Sequence, residues 1–170
     1  MRGVTHLSGG LLVGSVLVRC TNPSGGVVLG AVLGALAPDA DAPYSFLQHM
    51  VEKTFPKLEH KHPQLTPFFF ALRALAFTVM AIVSAISSGK HRGVAHSPLI
   101  PILLGLAGLC LPELRWGLWS VALGWLSHLL LDAMTPAGIW KVHGPIRTGS
   151  SGDWGIGATL LALAILILVI

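Results

Sequence analysis

Apolar residues are gathered into long runs separated by short polar clusters, and this pattern predicts a set of packed helices. The runs are Leu7–Val18, Ser24–Ala37, Pro67–Ser88, Pro98–Leu111, Trp116–Ala133 and Trp154–Ile170. Arg19-Cys20-Thr21-Asn22-Pro23 is a turn signal between the first two, and Pro112-Glu113-Leu114-Arg115 is one between the fourth and fifth. Each pair therefore reads as a helical hairpin. At about 1.5 Å per residue, Pro67–Ser88 is long enough for the ~30 Å of bilayer hydrocarbon, and Trp116–Ala133 and Trp154–Ile170 approach it. The other runs fall short. Gly26, Gly30 and Gly34 recur every four residues, a spacing that lets helix backbones approach closely. No phosphate-loop pattern accompanies them.

Two polar stretches interrupt the runs. Between Ala42 and Thr66, Phe46, Leu47, Met50, Val51, Phe55 and Leu58 recur at helical spacing, with Glu52, Lys53 and Lys57 between them. This predicts an amphipathic helix lying at a membrane interface. Pro136–Asp153 contains several glycines and reads as an ordered loop.

Composition strengthens the membrane reading. Hydrophobic residues make up 53% of the 170 positions and charged residues 11%, with a mean hydropathy of +0.74. A soluble domain carries charge on about a quarter of its positions. The same scarcity of charge excludes a disordered chain and argues against direct nucleic-acid binding. The expected fold is all-α: one polytopic, membrane-embedded helical bundle over residues 1–170, with two hairpins and an interfacial amphipathic helix. The opening Met1–Gly14 makes a poor signal peptide, so His6 is expected to be retained. Cys20 and Cys110 form no CxxC pair and have no zinc-finger spacing. Both fall at the turn ends of the hairpins, where a disulfide is conceivable, but two unpaired thiols are the expectation.

The few ionisable residues carry the chemistry. His6 precedes the first run, and Asp39 and Asp41 follow the second. His91 and His96 precede the fourth, and His128 and Asp132 close the fifth. Each hairpin thus collects its acids and imidazoles at its open end. His128 and Asp132 share a helix face one turn apart. Such groups inside an apolar segment need a partner or an ion. Taken singly each has a plainer explanation: an exposed terminus for His6, a polar turn for Asp39 and Asp41, a basic loop at anionic lipid for His91, a structural pair for His128 and Asp132. Their common end favours a site. Imidazoles and carboxylates suit a divalent ion such as Zn²⁺ or Mn²⁺. His6, Asp39, Asp41, His91, His96, His128 and Asp132 exceed the ligands of one zinc, so two or more ions are expected, with zinc the first choice. His49, His60, His62 and His143 are read as surface residues.

The motifs Thr5-His6, Pro38-Asp39-Ala40-Asp41, His91-Arg92-Gly93-Val94-Ala95-His96-Ser97 and Ser127-His128-Leu129-Leu130-Leu131-Asp132-Ala133-Met134-Thr135-Pro136-Ala137-Gly138 resemble those of the inner-membrane-associated metal-dependent hydrolases, a family also described as LexA-binding. The resemblance runs from His6 to about Trp154. It implies a membrane-bound metal-dependent hydrolase of unknown substrate, with a regulatory protein partner. The order of ligands is more distantly similar to the all-helical zinc phospholipase C and P1 nuclease group, which implies phosphoesterase chemistry. Against that group, the N-terminal Trp ligand and the later histidine-rich ligands are missing. Against the nearer family, Pro67–Ser88 is a long apolar insert, and Asp153 stands where Glu is expected after Gly149-Ser150.

Sharing a face by Asp41 and His91 requires an even number of crossings between them, yet Pro67–Ser88 is the only apolar run there. Arg73 within it adds a cost to a true span. The segment is therefore expected to be interfacial, bent, re-entrant or a partial hairpin. Arg2, Lys53, Lys57, Lys61, Lys90, Arg92, Lys141 and Arg147 fall on the site face, against Arg19 and Arg115 opposite. The positive-inside rule then faces the site to the cytoplasm of a multi-pass inner-membrane protein. The expected activity is hydrolysis of a phosphoester, lipid or lipid-linked, at that face. Asp41 or Asp132 would bridge two ions, and Arg92 would neutralise phosphoryl charge. The alternatives are a non-enzymatic interaction protein with a structural metal cluster, and a metal transporter. The transporter fits worst, because it needs ligands through the depth of the membrane.

Overall fold

Helices follow the apolar runs to within a few residues. The computed structural model describes residues 3–21, 26–40, 42, 45–87, 94–136 and 144–169. Among these the regular elements are all helical: α1 (Gly3–Thr21), α2 (Gly26–Leu36), α3 (Phe46–His49), α4 (Phe55–Lys61), α5 (Thr66–Ser87), α6 (Leu99–Cys110), α7 (Arg115–Ala133) and α8 (Ser151–Val169), with short 3-10 turns and one π segment between them. The fold is all-α, as the patterning predicts. The α1, α5 and α8 regions are long and apolar enough to cross a membrane, whereas α2 and α6 are shorter apolar helices. Cys20 and Cys110 are free, exposed thiols.

The chain divides into two compact units, Met1–Leu36 with His96–Ile170, and Ala37–Ala95. In the first, α2 packs along α7, α1 touches α2, α7 and α8, and α6 packs on α7. Glycine permits the closest of these approaches. A methyl group on Gly34 would lie 2.1 Å from the Val121 carbonyl oxygen, and one on Gly124 would lie 2.0 Å from that of Ala31. Each helix therefore presents a glycine to the other's backbone. A Cβ at Gly10 would meet Ala31, Val32 and Ala35, while one at Gly14 would meet Val28. Positions rising along α1 thus face positions falling along α2, so the first hairpin is antiparallel. In the second, the Trp119 indole N–H donates to the Gly105 carbonyl at 3.1 Å.

The second unit holds the amphipathic segment. Ser45 caps α3, its hydroxyl accepting from the Gln48 amide at 3.1 Å. Leu47, Val51 and Phe55, four residues apart, are buried, while Glu52, Lys53 and Lys57 are exposed. Residues Met50–Thr54 between α3 and α4 adopt a π conformation, which the sequence pattern did not disclose. Pro56 supplies the reason: it has no N–H to give, and its ring crowds the carbonyl four residues back. The Phe55 amide accordingly bonds to Met50, five residues earlier.

α5 is one unbroken helix of 22 residues, so the partial-hairpin option for Pro67–Ser88 does not hold. Its arginine is compensated. Arg73, one-third exposed, lies 3.4 Å from the Glu59 carboxylate of α4.

Candidate metal centre

Helix direction brings distant residues to one end of the first unit. His6 lies in the opening turns of α1, and His128 and Asp132 lie in the closing turns of α7. α1 runs antiparallel to α7, since Gly9 faces Ser127 and Leu131 while His6 faces Asp132. His96 ends the 3-10 turn Val94–His96 that leads into α6.

Three of these side chains, all imidazoles, surround the carboxylate of the fourth. Asp132 Oδ1 is 3.3 Å from His6 Nε2, while Oδ2 is 3.6 Å from His128 Nε2 and 3.7 Å from His96 Nε2. His6 stacks on His128 with ring centroids 3.9 Å apart, and His96 meets His128 edge-on at 5.3 Å. All four residues are no more than 2% exposed. His96, His128 and Asp132 each offer a ligand atom within 4.8 Å of the others.

The backbone orients the central imidazole. His128 Nδ1 lies 2.8 Å from the Ala35 carbonyl oxygen. A carbonyl can only accept, so Nδ1 carries the proton and donates. In the neutral ring, Nε2 is then an acceptor that faces a carboxylate oxygen. Two acceptors at that distance need a second proton or a cation between them. Metal-ligating histidines are commonly held by such a bond on the other ring nitrogen. The spacings fit as well: zinc bonds of about 2.0–2.1 Å place tetrahedral ligand atoms ~3.4 Å apart. A group of Asp and His residues able to hold a metal ion is therefore present.

Loops beyond the helices tie this end together. Thr135 Oγ1 donates to the Asp132 carbonyl at 2.8 Å, closing the C-terminus of α7. The Gly144 amide donates to the Thr135 carbonyl at 2.9 Å. Asp153, fully buried in the first turn of α8, accepts from the Thr5 hydroxyl at 2.6 Å and from the Gly149 amide at 2.7 Å. Gly149 has φ 78°, a left-handed conformation that glycine adopts without strain. Asp153 thus anchors the residue next to His6.

Four of the expected site residues, His6, His96, His128 and Asp132, come together. Asp39 ends the 3-10 turn Ala37–Asp39 that follows α2 directly, and belongs to the second unit. Asp41, His91 and Arg92 lie outside the described residues, as does His143. His49 and His60 are exposed and His62 is partly so. Thr5 and Thr135 stand inside the quoted motifs and Asp153 at the position where the resembled family has Glu, but the sequence reading gave none of them a role. The Ala35 carbonyl, a backbone group, left no signal.

The model of the YdjM inner membrane protein family matches residues 1–169. The chain is 30% identical over 140 residues to the "Inner membrane protein YdjM" of Escherichia coli (strain K12), and equally so to that of Shigella flexneri. Each match covers 75% of this chain and 57% of the relative, so the chain spans little more than half the length of these proteins. No solved structure matches.

Proposed function

The chain belongs to the YdjM inner membrane protein family, and from that premise we propose that it is a multi-pass, metal-dependent hydrolase acting on a phosphoester at the cytoplasmic face. The observation that carries this reading is the carboxylate of Asp132 facing three buried imidazoles, one of them oriented by the Ala35 carbonyl. Its two oxygens face different partners, Oδ1 toward His6 and Oδ2 toward His96 and His128.

Asp39, four residues beyond Ala35 on the turn that continues from α2, is the further carboxylate we assign to the set, with Asp41 and His91 as additional ligands. Zinc is the favoured metal. A bound divalent cation supplies Lewis acidity toward a phosphoryl oxygen and toward water. The imidazoles and carboxylates of the chain fix its position, and the Arg92 guanidinium neutralises charge on the phosphoryl oxygens. The excess of Lys and Arg on the site face supports the cytoplasmic orientation. The resemblance to hydrolases described as LexA-binding adds a regulatory protein partner to the proposal.

One observation favours the rival, a structural metal cluster: the central residues are nearly inaccessible, and structural sites are ligand-saturated. The deciding experiment uses the protein purified in detergent. Metal content is measured by mass spectrometry, and phosphodiester, phosphomonoester and carboxylester substrates are assayed with and without chelator. The hydrolase reading expects chelator-sensitive phosphoester turnover, lost together with metal in His128→Ala and Asp39→Ala. Tightly bound metal without turnover of any ester would establish the structural cluster instead.

A further inference from the structure

The amphipathic segment of the second unit does not turn its apolar face outward. Leu47, Val51 and Phe55 are buried, and the Phe55 ring meets Phe69 of α5 with centroids 6.1 Å apart. Its outward positions include Lys53, Lys57 and Lys61, spaced four residues apart and all exposed, so the three share a side. α5 has the opposite character. Phe69, Ala76 and Val83, seven residues apart, make a narrow buried row, whereas Phe68, Phe70, Leu75, Phe77 and Ile82 are exposed. The unit thus sets a bare apolar helix beside a basic one.

Polar groups accompany α5 along most of its length. Arg73 pairs with Glu59, and Gln48 and Glu52 line a groove together with Phe77, Met80, Ala81 and Ser84. Residues 69–84 of a helix cover about 22 Å. Were α5 to cross the ~30 Å of hydrocarbon, Glu52 and the lysines would enter it too, where charged groups are costly. Lying in the plane of the membrane removes that conflict. α5 can then sink its exposed side chains about 5–10 Å into the acyl boundary while the charged segment keeps to headgroups and water. Residues 45–87 carry four Lys and Arg against two Glu, a balance that favours anionic headgroups over zwitterionic ones. We propose that α4 and α5 form an in-plane membrane-docking pair, α5 lying among acyl chains and Lys53, Lys57 and Lys61 attracting anionic phospholipid. The pair adds no crossing within Ala37–Ala95, so the chain enters and leaves this unit on one side of the bilayer. The inference is independent of any catalytic activity.

The test uses the full chain carrying Cys20→Ser and Cys110→Ser, reconstituted into vesicles of phosphatidylcholine and phosphatidylglycerol. Nitroxides are attached one at a time at exposed positions of α5, as in Phe68→Cys, Phe70→Cys, Leu75→Cys, Thr78→Cys, Ile82→Cys and Ala85→Cys. Depth is read from relaxation by oxygen against relaxation by a water-soluble nickel chelate. An in-plane helix gives a depth that repeats about every 3.6 residues with no trend between its ends. A label at Lys57→Cys should stay in contact with the chelate. A profile with one maximum at the middle of α5 and water at both ends would mean a span and overturn the proposal. The headgroup preference is read separately, by native mass spectrometry of the phosphatidylglycerol retained relative to phosphatidylcholine. Combining Lys53→Gln, Lys57→Gln and Lys61→Gln should lower that ratio at least about fivefold, the worth of one lysine at an anionic surface. An unchanged ratio would overturn the assignment of anionic lipid to the lysines.

Discussion

The contact between α2 and α7 sets the position of His128, and Gly124→Ala tests whether that packing supports the proposed metal binding. The added methyl group would sit 2.0 Å from the Ala31 carbonyl oxygen and 2.8 Å from its carbon. Ordinary contact begins near 3.4 Å, so the two helices must separate by roughly 1.4 Å or the backbone must distort. Both atoms met are backbone, so no side-chain rotation relieves the clash. Separation on that scale would stretch the 2.8 Å bond between His128 Nδ1 and the Ala35 carbonyl to about 4 Å, beyond hydrogen-bonding range. Overpacking of this kind costs about 1–3 kcal/mol, and loss of a bond that orients a metal ligand costs about 10–100-fold in affinity. Gly117→Ala on the same helix is the control, because a Cβ there meets nothing within 4 Å. The assays are thermal unfolding in detergent and zinc affinity by competition with a chromophoric chelator. Gly124→Ala should fall in both, and Gly117→Ala in neither. A Gly124→Ala protein as stable and as zinc-avid as Gly117→Ala would refute the reasoning that glycine contacts hold His128 in place.

Further outcomes follow from the same geometry. Asp153→Ala leaves the Thr5 hydroxyl and Gly149 amide without their carboxylate and should destabilise the protein by about 1–3 kcal/mol in chemical unfolding, whereas Thr5→Ser, which keeps the hydroxyl, should be near neutral. Zinc affinity should decline as pH is lowered through the imidazole range, because ligating histidines must lose a proton; a flat profile between about pH 5 and 8 would exclude histidine ligation. Pro56→Ala restores an N–H and removes the ring that crowds Glu52, so the π segment Met50–Thr54 should revert to α-helix, seen as slower amide exchange there. Arg73→Met should cost no more than about 1 kcal/mol in thermal unfolding, since its partner Glu59 lies 3.4 Å away and both are partly exposed.

Much of this arrangement was legible from residue order. Apolar runs interrupted by Pro112 and by Arg19–Pro23 define helices and hairpins, because burial of apolar area and backbone turn chemistry are local properties of the chain. Hairpin connectivity then places His6, His96, His128 and Asp132 at one end, since two antiparallel helices bring their outer termini together whatever their packing details. Tertiary structure decided what local pattern does not encode. Which carbonyl meets His128 Nδ1 depends on the register of α2 against α7, and that register is set by Gly34 and Gly124 closing on a partner backbone. The burial of Asp153 against Thr5 depends on α8 packing beside α1, a contact between chain ends with no signature in sequence spacing. Composition chose the helices and their environment; close packing, which only the folded backbone determines, chose which atoms face one another.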